Sequence, residues 1–87
     1  DNEPAVRQTA DDLLSAVREE NYHSGVEPIS VAAGVIYCAC NIHGNELEQH
    51  EVGDVADVST VTVRKRYQEI ISVTEYTRED IVPSQYQ

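Results

Sequence analysis

Twelve consecutive residues, Ile29-Ser30-Val31-Ala32-Ala33-Gly34-Val35-Ile36-Tyr37-Cys38-Ala39-Cys40, carry no formal charge and are small or apolar on all sides. In a chain of 87 residues, 25% of them charged, such a run belongs at the centre. Pro28 opens it in a way that suits the first turn of a helix, and Gly44 is the next break. The β-branched residues leave a strand open, but the distance to Gly44 is long for one. Alanine and glycine would let neighbouring helices approach closely. The run therefore predicts a central helix, buried on all sides. At this length one layered domain is expected, and its core must be economical because buried apolar area only just outweighs lost conformational entropy. Phe, Trp and Met are absent and Leu occurs three times, so Val and Ala fill that core.

The flanking segments read as amphipathic helices. From Pro4 onward, Val6, Ala10, Leu13, Leu14 and Val17 recur at helical spacing, with Asp11, Asp12, Arg18 and Glu19 between them, which predicts a helix of about four turns. Asn21 to Gly25 supplies a break. Glu46 to Ala56 predicts a short helix with Leu47, Val52, Val55 and Ala56 apolar and Glu48, Gln49, Glu51 and Asp54 polar. Asp57 interrupts it, and Ser59 or Thr60 can cap the next helix, whose inward stripe is Val63, Tyr67, Ile70 and Ile71. Thr77 to Val82 suggests a helical turn before Pro83, and Ser84 to Gln87 a frayed end. The expectation is an all-α domain of four to five helices over residues 1–76, ending in a helix-turn-helix at about 46–73, with 77–87 as a carboxy-terminal tail.

The net charge is −10, from sixteen acidic residues against one lysine and five arginines. An acidic coat with small aliphatics and almost no lysine fits a cytoplasm at molar salt, where the Debye length falls to roughly 3 Å and self-repulsion is screened. A halophilic source is expected. Cys38 and Cys40, two apart, are poorly placed for a disulfide, and in a helix they point to nearly opposite sides, so both read as buried free thiols of a reducing compartment. Signal peptide, lipidation motif and long apolar span are not found, which gives the expectation of a soluble cytoplasmic protein.

Against this acidic background the segment between Asp57 and Glu69 has no acidic residue, yet it holds half of all Lys and Arg, as Arg64, Lys65 and Arg66. A basic island on the second helix of a helix-turn-helix points to a polyphosphate, and the segment Ser59 to Ile71 reads as a DNA-reading helix. With Val63, Tyr67 and Ile70 inward, the outer face runs through Val61, Arg64, Lys65 and Gln68. Val61 on that side could touch a thymine methyl, and Arg64 could bond guanine bidentately. Ser59, Thr60 and Thr62, near the helix start, could donate to phosphates together with free backbone N–H groups. The competing reading leaves Arg64 to Arg66 as a solvated face that neutralises Asp57 and Glu69, with Val61 packed against the turn.

Two stretches carry a family resemblance. Glu27-Pro28-Ile29-Ser30-Val31-Ala32-Ala33-Gly34-Val35-Ile36-Tyr37 resembles the central cyclin-fold helix of archaeal transcription factor B, the relative of eukaryotic factor IIB. Gln49 to Tyr67, with Glu51-Val52 and Val55-Ala56 followed by Val61-Thr62-Val63-Arg64 and Tyr67, is similar to that family's helix-turn-helix. The two matches fall in the family's order and spacing and cover Glu27 to Ile71, about half of the chain. The resemblance implies a second cyclin-like repeat that binds promoter DNA as a monomer just upstream of the TATA box. It implies base contacts by Val61 and Arg64, a complex with the TATA-binding protein and, in the full-length factor, RNA polymerase. In three places the chain departs from the pattern: Asp57 stands at the family's turn glycine, and Glu27 and Glu48 replace Ser and Thr near two helix starts. The repeat's first helix, the other repeat and the zinc ribbon have no counterpart in these 87 residues.

A cyclin-like module can also bind proteins without touching DNA, and an acidic surface favours basic partners. Cys40 and His43 are three apart on one helix face, with His23 and His50 elsewhere, but zinc wants four ligands and a clearer spacing, so no metal or cofactor is expected. A phosphate-cradling glycine loop, a nucleophile elbow and an acid–base pair are not recognisable, so the chain does not read as an enzyme.

Overall fold

The computed structural model describes residues 3–20, 27–45 and 47–81. Within them five helices follow one another: α1 (Glu3–Glu20), α2 (Pro28–Ile42), α3 (Gln49–Ala56), α4 (Thr60–Ser72) and α5 (Arg78–Ile81). No strand occurs among the described residues. The expected breaks at 21–25, Glu46 and 84–87 lie outside them, as does His23.

The uncharged run folds as α2 and is the hub: α1, α3, α4 and α5 all pack on it, α4 most extensively. Leu13 and Val17 of α1, Val52 of α3, Val63, Tyr67 and Ile70 of α4 and Ile81 of α5 close on Val31, Ala33, Val35, Tyr37, Cys38 and Ala39. The small residues of α2 set how close α4 comes. A Cβ at Gly34 would stand 2.5 Å from the Cβ of Arg66, so glycine is needed where the two helices cross. One turn along, the Tyr37 and Tyr67 rings meet at 5.5 Å with a 49° tilt, a favourable aromatic geometry. A polar contact adds to the apolar packing of α1 on α2: Thr9 Oγ1 and His43 Nε2, at the C-cap of α2, are hydrogen bonded at 2.6 Å.

Two expectations are corrected. First, α2 is not buried on all sides, because Ile29 and Ile36 are each 48% exposed. They line an apolar groove of about 360 Å³ between α2 and α3, with Leu47, Val52 and Val55. Four neighbours around one short helix leave a strip of its circumference open. Second, the third helix starts at Gln49 and not at Glu46. The Asn41 side chain accepts from the Leu47 N–H at 2.7 Å and donates to the Leu47 carbonyl at 3.2 Å, which holds that residue in a loop. Glu48 is then the extended N-cap, its N–H donating to the Glu51 carboxylate at 2.9 Å. Of the turn expected at 77–82, the described part is α5, with Val82 and Pro83 outside the described residues: the Thr77 N–H and hydroxyl both donate to Asp80, and Ile81 is buried.

Candidate nucleic-acid interface

Helices α3 and α4 are joined by the three residues Asp57, Val58 and Ser59, and each contributes one feature to the turn. Asp57 adopts the left-handed conformation, φ 58° and ψ 44°. The Val58 N–H donates to the Gly53 carbonyl at 2.9 Å, folding the chain back over the end of α3. That return passes so close that a Cβ on Gly53 would stand 2.7 Å from the Val58 carbonyl oxygen. Ser59 caps α4, its hydroxyl accepting from the Thr62 N–H at 3.1 Å.

The predicted site residues fall into three groups. Val61, Arg64, Lys65 and Gln68 form the outward face of α4, and all four are exposed. Val61 is 61% exposed, so it does not pack against the turn. Thr60 is exposed at the first position of the helix. Ser59 and Thr62 hold one another, their hydroxyl oxygens 3.0 Å apart, and Thr62 is half-buried. They shape the helix start, and the Ser59 oxygen is already an acceptor.

The basic island divides. Arg66 turns under α4, half-buried against Gly34, and its Nη1 lies 2.9 Å from Glu69 Oε1. Arg64 and Lys65 remain outward. Neutralisation of an acidic neighbour, one of the two readings of the island, thus describes Arg66.

Beside the Thr60, Arg64 and Gln68 edge of α4 lies a cleft of about 470 Å³. Its other walls are Gln49 and His50 of α3 and Arg78 of α5, over Tyr37 and Tyr67. Burial pushes the Tyr37 hydroxyl above its ordinary value, and a hydrogen bond with Gln49 opposes the rise. Sequence reasoning missed Gln49, His50 and Arg78. A pattern confined to α4 could not find them, although Arg78 is one of only six Lys and Arg residues.

The cysteines are free thiols, Cys38 buried and Cys40 half-buried. Among the described residues no group of three or more His, Cys, Asp or Glu could hold a metal ion, and no helix is long and apolar enough to cross a membrane.

Residues 2–73 match the family described as transcription factor TFIIB repeat. Transcription initiation factor IIB 2 of Haloferax volcanii is 40% identical over 76 residues, which are 87% of this chain and 23% of that protein. Transcription initiation factor IIB of Methanothermococcus thermolithotrophicus is 43% identical over 65 residues, 75% of this chain and 19% of that protein. A factor of the same name from Haloarcula vallismortis is 39% identical over 66 residues, 76% of this chain and 58% of that protein. The chain thus spans about a fifth to a quarter of the first two relatives.

Proposed function

Since the chain belongs to the transcription factor TFIIB repeat family, we propose that it serves transcription initiation by laying α4 in the major groove of promoter DNA beside the TATA box, in a complex with the TATA-binding protein. The observation that carries this reading is the pairing of Val61 and Arg64 on the open face of a capped helix. An aliphatic residue 61% exposed on a polar helix gains little from the core, whereas a thymine methyl would cover it. Arg64, one turn on, supplies a fork of donors for guanine. Lys65 and Thr60 serve backbone phosphates, and Gln68 extends the same face. The chain acts as a monomeric, cytoplasmic binding protein and not as an enzyme, and RNA polymerase joins through the complete factor.

Anisotropy titrations with promoter duplex at high KCl, with and without the TATA-binding protein, test the reading. Arg64→Ala should lose about 1 to 3 kcal/mol of discrimination at one base position, while Lys65→Ala should weaken all sequences alike. If neither substitution alters binding, α4 is not the reading helix.

One feature favours a second reading. Ile29, Ile36 and Val55, three of the four large exposed aliphatics among the described residues, converge on the α2–α3 groove, and Val55 is 91% exposed. A protein-interaction module without DNA contact would use that groove. In the same titrations it would bind no duplex.

A further inference from the structure

We propose that Tyr37 of α2 is a positioning residue for DNA recognition: it braces α3 against α4 at the open end of the helix-turn-helix and so sets the angle between them. This role rests on the DNA reading above and gives part of it to a side chain only 1% exposed, which no duplex can touch.

At its turn the helix-turn-helix is held by local bonds. There the Val58 N–H donates to the Gly53 carbonyl and Ser59 caps α4. Away from the turn the two helices part, with the cleft of about 470 Å³ lying between Gln49 and His50 on one and Arg64 and Gln68 on the other. Gln49 is seven residues before the end of α3 at Ala56, and Tyr67 is seven residues after the start of α4 at Thr60. At ~1.5 Å per residue, each stands about 10 Å along its helix from the turn. Tyr37 meets both. Its ring packs on Tyr67 with 5.5 Å between centroids, and its hydroxyl is hydrogen bonded with the Gln49 side chain. One side chain of α2 thus joins points on the two helices that lie equally far from their common turn.

Apolar packing does not fix the far end of α3. Of its eight residues Val52 and Gly53 are the buried ones, both near the middle, and a helix resting on them can pivot. Asn41 holds Leu47 in the loop before the helix, whereas the Tyr37 hydroxyl reaches the helix itself. A phenylalanine would pack on Tyr67 as well, so the hydroxyl adds direction and not area: a buried hydroxyl needs a partner, and a hydrogen bond is directional where apolar contact is not. Direction matters for the reading of bases. In a helix-turn-helix complex the second helix lies in the major groove while the first crosses the backbone. Both are seated at once only over a narrow range of angles, and a misplaced α3 would draw Val61 and Arg64 away from the base edges.

The test uses the 87-residue chain, Tyr37→Phe, Gln49→Leu and the double variant, at a KCl concentration where urea unfolding shows all four folded. Residual dipolar couplings of the free proteins give the angle between α3 and α4. Anisotropy titrations on specific and scrambled duplex give the discrimination ratio. Tyr37→Phe keeps the ring and deletes only the hydroxyl; it should turn α3 relative to α4 and cut the ratio about three- to tenfold, the size of one hydrogen bond, with scrambled duplex bound as before. Gln49→Leu should do the same, and the double variant should lose no more than either single one. An unchanged angle, or a changed angle with an unchanged ratio, overturns the role of Tyr37, while a wild type that still discriminates keeps the DNA reading. Equal losses on both duplexes mark a residue that only stabilises the fold, and losses that add in the double variant mark two independent residues; either result overturns the brace. A wild type that binds no duplex overturns the DNA reading and the role of Tyr37 with it.

Discussion

At Cys38 a single side chain records how dry the centre of α2 is. Its thiol is fully buried, and desolvation pushes its pKa up to about 12. In the unfolded chain the same thiol ionises near ~8.5. Between those values the unfolded state binds fewer protons than the native state, so stability falls as pH rises, by at most about 1.4 kcal/mol per pH unit. The raised Tyr37 hydroxyl adds a second fall in the same direction, beginning near its ordinary value of 10.0. Urea unfolding measured from neutral to alkaline pH should therefore show declining stability. Cys38→Ala should remove most of the part of the decline that begins first, the remainder belonging to the half-buried Cys40, whose thiol burial also raises. An equally steep decline in that variant would assign the effect to other groups.

The helix-turn-helix is an element whose geometry depends on two tight places. Asp57 is held at φ 58°, a region that costs a residue with a Cβ roughly 1 to 2 kcal/mol, less for Asp than for most. Asp57→Gly removes that strain but adds freedom to the unfolded chain worth about 0.5 to 1 kcal/mol. The first effect should win narrowly, raising the urea midpoint with an unchanged m-value; a lower midpoint would show that the aspartate side chain contributes more than its strain costs. Gly53 balances the other way. Alanine would favour the helix by about 1 kcal/mol, but its Cβ would press on a backbone oxygen that cannot swing aside. Overpacking of this kind costs typically about 1 to 3 kcal/mol, so Gly53→Ala should lower the midpoint and tilt α4. A variant as stable as the parent would mean that the turn relaxes freely.

For the whole molecule the governing quantity is the net charge of −10 carried on a fold with a slender core of Val, Ala and a few larger residues. Self-repulsion acts over a Debye length, about 10 Å at 0.1 M salt and about 3 Å at 1 M, against principal extents of 32 × 24 × 23 Å. Screening thus decides whether most acidic pairs feel one another. Thermal melts over a KCl series should show the midpoint rising with salt, and a flat series would remove electrostatic repulsion as the reason for salt dependence. The same salt weakens phosphate contacts by counterion competition, so the proposed recognition has to draw more on Val61 and Arg64 than on Lys65.

The sequence by itself determined which segments are helical and which way each side chain leaves its own helix. Periodicity of 3.6 sends Val63, Tyr67 and Ile70 to one side of α4 and Val61, Arg64, Lys65 and Gln68 to the other, whatever the helix packs against. The interruption at Asp57 and a cap at Ser59 or Thr60 are likewise local and were legible; the structure makes Asp57 left-handed and Ser59 the cap. Only the tertiary structure decided what stands opposite those faces. That Arg66 packs against Gly34, that Ile29 and Ile36 stay open, and that Arg78 comes to the same cleft as Arg64 all depend on how helices cross. The physical reason is that a residue's direction is fixed by the hydrogen-bonded turn it belongs to, whereas its neighbours are fixed by packing between segments distant in the chain.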